Sequence, residues 1–89
     1  MKLARITGTV EATAKDAALT GQKLLLADVI DGRGKVLEPA LVAIDTSGAG
    51  VGDQVLITTG SAARMPSKAS GAPVDATIIA VVDRVTVSK

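Results

Sequence analysis

The sequence predicts a small all-β barrel of five or six short strands. Polar and apolar side chains alternate near its beginning, short apolar runs recur along it, and Gly-, Pro- and Ser-rich turns separate these runs. The chain has 89 residues, which fits a single domain spanning 1–89. Of these residues 47% are hydrophobic, and many are alanine, so we expect a modest aliphatic core.

The first predicted strand covers residues 2–13. Ile6 and Val10 lie on one face of this segment and Arg5 on the other, which is the period-two pattern of a half-buried strand. Gly8 falls on the apolar face. A glycine there predicts a bulge or a bend in the strand.

Residues 14–22 are interpreted as a loop, although Asp16 could cap a short helix that Gly21 would end. Residues 23–30 form a compact apolar run and predict the second strand. The Asp-Gly-Arg-Gly sequence at 31–34 is typical of a hairpin turn.

The third and fourth strands are predicted on either side of a glycine-rich loop. Pro39 marks an edge or a strand start, because proline cannot donate a hydrogen bond to a sheet. The third strand is therefore predicted at 40–45 and the fourth at 54–59. The loop between them, 46–53, has glycine at alternate positions.

The last third of the chain predicts one helical turn and one strand. Residues 60–64 could form a turn of helix capped by Ser61, and 65–73 read as an irregular loop. The fifth strand is predicted at 77–87, broken or twisted near Asp83.

Composition excludes several classes of function. The chain has no His, no Cys and no aromatic residue, so it lacks the usual acid–base catalyst, a thiol nucleophile, and the imidazole and thiolate ligands of metals. Asp75 and Asp83 would lie at opposite ends of a strand and do not predict a cation site. We expect no enzyme activity, no cofactor and no metal.

The charge pattern bears on possible partners. The net charge is +1, and the charged residues are scattered singly, so neither a nucleic acid nor a membrane surface is an expected partner. The sequence shows no signal-peptide pattern and no run of membrane-spanning length, which predicts a cytosolic protein.

The segment around Asp45 supports an alternative hypothesis. Ala43-Ile44-Asp45-Thr46-Ser47-Gly48 resembles the apolar-apolar-Asp-Thr-Gly signature of retroviral-type aspartic proteases, so a small dimeric hydrolase using Asp45 is the second hypothesis. Ser47 interrupts that signature. The structural interpretation is a carboxylate at a strand end that accepts hydrogen bonds from loop N–H groups.

The glycines at 48, 50 and 52 could also indicate a phosphate-binding loop. No Gly-Lys-Ser/Thr and no helix follow them, so nucleotide binding is not favoured. The loop is instead expected to approach another backbone closely, either in its own chain or in a symmetry-related copy. A third hypothesis is an oligonucleotide-binding (OB)-like ligand-binding module, although the aromatic stacking residues of such modules are missing.

Several segments together resemble one family, the bacterial microcompartment vertex proteins, also called the EutN/CcmL family. The resemblance runs nearly from end to end, and its specificity lies in the order and spacing of the segments. These are Met1-Lys2-Leu3-Ala4, Gly8-Thr9-Val10, Ala12-Thr13-Ala14-Lys15, Leu19-Thr20-Gly21-Gln22-Lys23-Leu24-Leu25, Val42-Ala43-Ile44-Asp45, Gly48-Ala49-Gly50-Val51-Gly52-Asp53, Val55-Leu56-Ile57, Gly60-Ser61-Ala62-Ala63-Arg64, Pro73-Val74-Asp75-Ala76 and the run from Ile78 to Asp83.

This resemblance implies a five-stranded OB-like barrel with a short helix, assembled as a cyclic pentamer. Such pentamers occupy the vertices of polyhedral shells in the bacterial cytoplasm, beside hexagonal shell proteins, and enclose metabolic enzymes. The implied role is structural, with no catalytic residue, cofactor or metal. By the same resemblance, the residues expected at the five-fold axis are Ser47, Gly48, Ala49 and Gly50. Those expected at the subunit interface are Lys15 and Arg64.

Overall fold

A computed structural model describes residues 1–12, 17–66, 69 and 75–88 of the chain. It contains five strands and two short 3₁₀ helices within these residues. The strands are β1 Lys2–Val10, β2 Lys23–Ile30, β3 Val36–Asp45, β4 Gln54–Thr59 and β5 Ala76–Val81, and the 3₁₀ helices are Ala17–Leu19 and Gly60–Arg64.

The five strands close into a barrel in the order β1-β2-β3-β5-β4. β1 pairs antiparallel with both β2 and β4, which closes the barrel. β3 and β5 form the parallel pair, through Ile44 with Thr77 and Asp45 with Ile78. The strand pattern of the sequence predicts a small all-β barrel, and the family resemblance implies its OB-like topology.

Alternate side chains of the strands fill the barrel. The period-two pattern places one face of each strand inside, away from water. The residues of this core are small and aliphatic: Ala4, Ile6, Leu25, Ala27, Ala43, Ala49, Val55, Ile57, Ala76 and Ile78. Half of these ten residues are alanines, so the core has few large side chains, as the composition predicts.

Gly8 lies at the predicted bulge in β1. The pairing register between β1 and β2 shifts between Ile6 and Gly8, so one residue of β1 is left without an opposite partner. Gly8 then lies across from Leu26, whose Cβ is 3.8 Å from the position that a Cβ on Gly8 would occupy. The prediction of a bulge or bend is confirmed.

The prediction that β3 begins after Pro39 is wrong. β3 begins at Val36, and Pro39 lies inside it. The strand accommodates the proline by a local bend: Ala40 has a positive φ of 60°, its N–H donates to Asp28 Oδ1 at 3.0 Å, and the register with β2 shifts there. A bulge is one of the few places where a sheet tolerates proline.

Three smaller predictions also need correction. β1 ends at Val10, before residue 13. The second 3₁₀ helix begins at Gly60, with Thr59 at its N-cap and no side-chain capping hydrogen bond, so Ser61 does not cap it. β5 ends at Val81, and 82–88 follow without regular structure. A fourth correction concerns the interpretation of 14–22 as a loop, because Ala17–Leu19 form the first 3₁₀ helix. Asp16, the possible cap, lies outside the described residues, as does most of the loop predicted at 65–73.

Val87 lies close to the hairpin between β2 and β3. Its Cγ2 is 3.0 Å from where a Cβ on Gly32 would be, so the glycine makes room for the C-terminal segment. Among the residues described, no helix is both long enough and apolar enough to cross a membrane.

Candidate functional site

The loop between β3 and β4, residues 46–53, is the most elaborately anchored loop that the structure describes. We call it the glycine loop. It leaves β3 after Asp45 and enters β4 at Gln54. Ser47, Gly48 and Val51 are exposed, whereas Ala49 is buried. Hydrogen bonds at both of its ends determine its shape.

Asp45 anchors the start of the glycine loop. Its side chain is 1% exposed. One carboxylate oxygen, Oδ1, accepts the N–H of Ser47 at 2.9 Å, and the other, Oδ2, accepts the N–H of Ala49 at 2.9 Å. These two hydrogen bonds from backbone N–H groups replace those that the carboxylate would make with water if it were exposed. The structural interpretation of Asp45 is confirmed.

Lys23 adds a charge to this anchor. Its ammonium donates to the carbonyl oxygen of Ala49 at 2.6 Å and lies 3.4 Å from Oδ2 of Asp45. The lysine side chain is half-exposed, so it keeps contact with water while it offsets the charge of the buried carboxylate. The lysine, the aspartate and the loop backbone form one connected network.

Lys23 is not among the residues predicted from the sequence, although the sequence contains a signal for its contact with Asp45. Lys23 begins β2 and Asp45 ends β3, and the two residues are paired in the antiparallel register of these strands. Two strands that follow one another through a tight turn usually pair, which places the first residue of one beside the last residue of the other. Opposite charges at those two positions indicate a cross-strand ion pair.

Asp53 anchors the other end of the glycine loop. Its Oδ2 accepts the N–H of Gly50 at 2.9 Å, and its own N–H donates to the carbonyl oxygen of Gly50 at 3.0 Å. The loop is also joined to β1, since the N–H of Ile6 donates to Asp53 and the N–H of Gly52 donates to Ile6, both at 2.9 Å. The loop is therefore shaped within the single subunit.

A glycine of the loop can be required for either of two reasons, its backbone conformation or the lack of space for a side chain. Gly48 and Gly52 have φ values of 77° and 94°, a region that residues with a Cβ rarely adopt. Gly50 has no such conformation, and a Cβ placed on it would meet only Oδ2 of Asp53, at 3.9 Å. Nothing within the described part of the subunit therefore requires glycine at position 50.

The structure brings four of the predicted site residues together and separates the others. Ser47, Gly48, Ala49 and Gly50 are consecutive in the glycine loop, but the side chain of Ala49 is 1% exposed and packs in the barrel core. Only the backbone of Ala49 is therefore left to face an opening, and the placement of these four residues at a five-fold axis stays a prediction. Arg64 is exposed at the end of the second 3₁₀ helix. Lys15 lies outside the described residues.

An open cleft of about 430 Å³ lies beside the loop. Its lining residues are Thr20, Gly21, Gln22, Lys23, Asp45, Thr46 and Gly48. Among the described residues of the lining, Asp45 is the one carboxylate, and both its oxygens already accept hydrogen bonds. The described residues contain no group of three or more potential metal-ligating side chains. This arrangement gives no support to a hydrolase that uses Asp45.

Comparisons with known proteins identify the family of this OB-like barrel. The family described as "Ethanolamine utilisation protein EutN/carboxysome" matches residues 1–83. The "Carboxysome shell vertex protein CcmL" of Synechocystis sp. is 43% identical over 99% of this chain and 88% of its own length. The "Bacterial microcompartment shell vertex protein EutN" of Escherichia coli is 42% identical over 96% of this chain and 90% of its own. The chain belongs to the EutN/CcmL family.

A solved structure extends the similarity to three dimensions. The "GrpN pentameric microcompartment shell protein from Rhodospirillum rubrum" matches with a TM-score of 0.88 and 32% identity, over 100% of both chains. The resemblance stated from the sequence is confirmed. The relatives are shell vertex proteins and not enzymes, which agrees with the prediction that this chain is not an enzyme.

Proposed function

We propose that this chain is a structural shell protein whose pentamers occupy the vertices of a polyhedral bacterial microcompartment. The observation that carries the proposal is the full-length match to a pentameric shell protein, together with relatives named as vertex proteins. The proposed location is the shell of a microcompartment in the bacterial cytoplasm. The proposed partners are identical copies of the chain and the hexagonal shell proteins of the facets.

The mechanism that we propose is geometric. A flat layer of six-fold tiles cannot close on itself, so a five-fold unit has to replace a six-fold one at each corner. Contacts within a cyclic ring of this kind are heterologous, meaning that two different faces of each subunit meet. The function then depends on the shape of the subunit and the chemistry of its edges, and it requires no catalytic group.

We propose that the glycine loop lies at the five-fold axis. Nothing in the described subunit explains why position 50 is a glycine. If five copies of the loop converged at an axis, the lack of space for a side chain there would explain it. The exposed Ser47 and Gly48 would line the opening beside Gly50, with Ala49 contributing its backbone, since its side chain is buried. Anchoring by Asp45 and Asp53 would fix the loop before assembly and reduce the entropy lost on ring formation.

Arg64 and Lys15 remain proposed interface residues. Arg64 is exposed at the end of the second 3₁₀ helix, where its guanidinium could reach a neighbouring subunit. A paired charge at a heterologous edge would favour one orientation of the contact.

Co-assembly with a hexagonal shell protein tests the vertex role. We expect the hexagonal protein alone to form open sheets or tubes, and closed polyhedral particles to form when this chain is added. The measurement is electron microscopy of the mixture at increasing ratios of this chain to the hexagonal protein.

The same mixture can contradict the proposal. If closed particles form equally well without this chain, or if the chain is found throughout the facets, it does not act as a vertex protein. A matched control uses the chain carrying Gly50→Val at the same concentration, which we expect to form the ring more weakly and therefore to close fewer particles.

A further inference from the structure

The peptide group between Ala49 and Gly50 is held from both sides. Its carbonyl oxygen accepts a hydrogen bond from the ammonium of Lys23 at 2.6 Å, and its N–H donates to Oδ2 of Asp53 at 2.9 Å. A peptide group in a loop can turn about its flanking bonds unless its polar atoms are engaged, and a glycine beside it makes that turn easier. These two hydrogen bonds therefore determine the direction in which the peptide group faces.

The bond from Lys23 comes from a strand that the glycine loop does not itself connect. The loop joins β3 to β4, and its carboxylate anchors, Asp45 and Asp53, lie at its own two ends. Lys23 is instead the first residue of β2. Its side chain therefore ties the middle of the loop to a different part of the barrel wall, through a contact distant in sequence.

Asp45 keeps the ammonium of Lys23 in this place. The ammonium lies 3.4 Å from Oδ2 of Asp45, whose side chain is 1% exposed. A buried carboxylate charge is costly unless an opposite charge lies near it, so the pair holds together. The same Oδ2 accepts the N–H of Ala49. The ion pair thus engages both backbone polar groups of Ala49, the N–H through Asp45 and the carbonyl through Lys23.

The barrel itself depends little on Lys23. The lysine is not part of the buried core, and its side chain is 51% exposed beside the open cleft. Replacing it leaves no cavity among the core residues, which keep their apolar contacts. The part of the structure that a loss of Lys23 would change is therefore the glycine loop rather than the fold.

We propose that Lys23 is a positioning residue for ring assembly. Together with Asp45 it fixes the peptide group between Ala49 and Gly50, and with it the shape in which the glycine loop meets its copies at the axis. The inference rests on the proposed function, because it takes the loop to lie at that axis. Association loses less conformational entropy when a loop already has its bound shape. Lys23 therefore favours the ring from within its own subunit.

Lys23→Met tests this role, because methionine has a side chain of similar length without the charge or the N–H donors. We expect the subunit to stay folded in circular dichroism and ring association to weaken about tenfold, as for the loss of one hydrogen bond to a charged group. Native mass spectrometry over a series of protein concentrations measures the association. Lys23→Arg retains a cation with N–H donors and should restore most of it.

Lys2→Met is the matched control. Lys2 also begins a strand and also pairs with a carboxylate, that of Glu38 at 3.2 Å, but both of these side chains are about half exposed. An exposed ion pair of this kind contributes little, so Lys2→Met should leave the ring unchanged. If Lys2→Met weakens the ring as much as Lys23→Met does, the effect comes from the lost surface charge, and the inference is overturned.

A spectroscopic readout separates the position of the loop from the stability of the fold. In the ¹H–¹⁵N spectrum we expect Lys23→Met to shift the amide signals of Gly48 and Gly50 and to leave that of Ile57, in the barrel core, in place. Lys23→Arg should return the glycine signals toward their original positions. Unchanged glycine signals in Lys23→Met, or an unchanged ring, would contradict the role of Lys23.

The outcomes remain informative if Lys23→Met fails to fold or if no ring forms. A hydrogen-bonded ammonium exchanges its protons slowly, so the unaltered protein labelled with ¹⁵N-lysine should show an ammonium signal at low temperature that is missing from Lys23→Arg. The lack of such a signal would overturn the inference. If the unaltered chain forms no ring, the proposed function is contradicted, whereas a ring that tolerates Lys23→Met contradicts this inference alone.

Discussion

Asp45 and Asp53 anchor the glycine loop with different numbers of partners. Asp45 is buried and accepts two backbone N–H groups beside the ammonium of Lys23. Asp53 is half-buried, and its carboxylate accepts one, from Gly50. The two residues therefore permit a comparison of the same chemical substitution at a strong and a weak anchor.

We predict that Asp45→Asn lowers the free energy of unfolding by about 1–3 kcal/mol, because it weakens charge-assisted hydrogen bonds in a buried site. Asp53→Asn should cost less, about 0.5–1.5 kcal/mol. Urea denaturation at one fixed protein concentration measures both, since assembly adds to apparent stability. An equal or smaller loss for Asp45→Asn would show that the buried carboxylate is not the main anchor of the loop.

The sequence predicts the role of Asp45 as an anchor of the glycine loop, but it does not predict the contact of Lys23 with that anchor. An aspartate between an apolar strand and a glycine-rich loop is typical of a residue that accepts loop N–H groups, and this interpretation needed no knowledge of the fold. The contact of Lys23 depends on which strands pair and in what register. That register is set by the turn at 31–34 and by the bend at Ala40, whose φ of 60° was not predicted.

Strands β2 and β4 lie where the sequence predicts them, and β3 does not. The apolar runs at 23–30 and 54–59 are bounded by turn residues at both ends. The first half of β3 has mostly exposed side chains and contains Pro39, so neither alternation nor composition indicates a strand there. Its pairing with β2 and the bond from Ala40 N–H to Asp28 stabilise it, and both depend on distant residues.

The glycine loop makes a prediction of its own at position 50. Gly50→Val should leave the subunit folded, because a Cβ there meets nothing closer than 3.9 Å, but should weaken ring association about tenfold or more, since overpacking typically costs about 1–3 kcal/mol. Circular dichroism and size-exclusion chromatography separate the two effects.

Gly50→Ala is the matched control for this change. Its single methyl group should be accommodated, so the ring should persist. If Gly50→Val also keeps the ring at low concentration, the loop does not lie at a crowded axis. If it instead unfolds the subunit, the requirement for glycine is internal.

For the whole molecule, the sequence predicts the barrel class, and the family resemblance supplies the expected assembly. Alternation along short strands indicates a half-buried sheet, and the strand lengths favour a small barrel. No residue pattern counts subunits, because the size of a ring depends on the angle between two faces, which is a property of the folded surface. The pentamer is therefore proposed from the relatives.

Cryo-electron microscopy of the purified protein, viewed along the symmetry axis of its assembly, shows how many subunits form the ring and where the glycine loop lies. We predict a ring of five subunits in which Ser47, Gly48 and Gly50 of each copy line the central opening. A ring of another size, isolated subunits, or a five-membered ring with these residues on its outer rim would contradict the proposed vertex role.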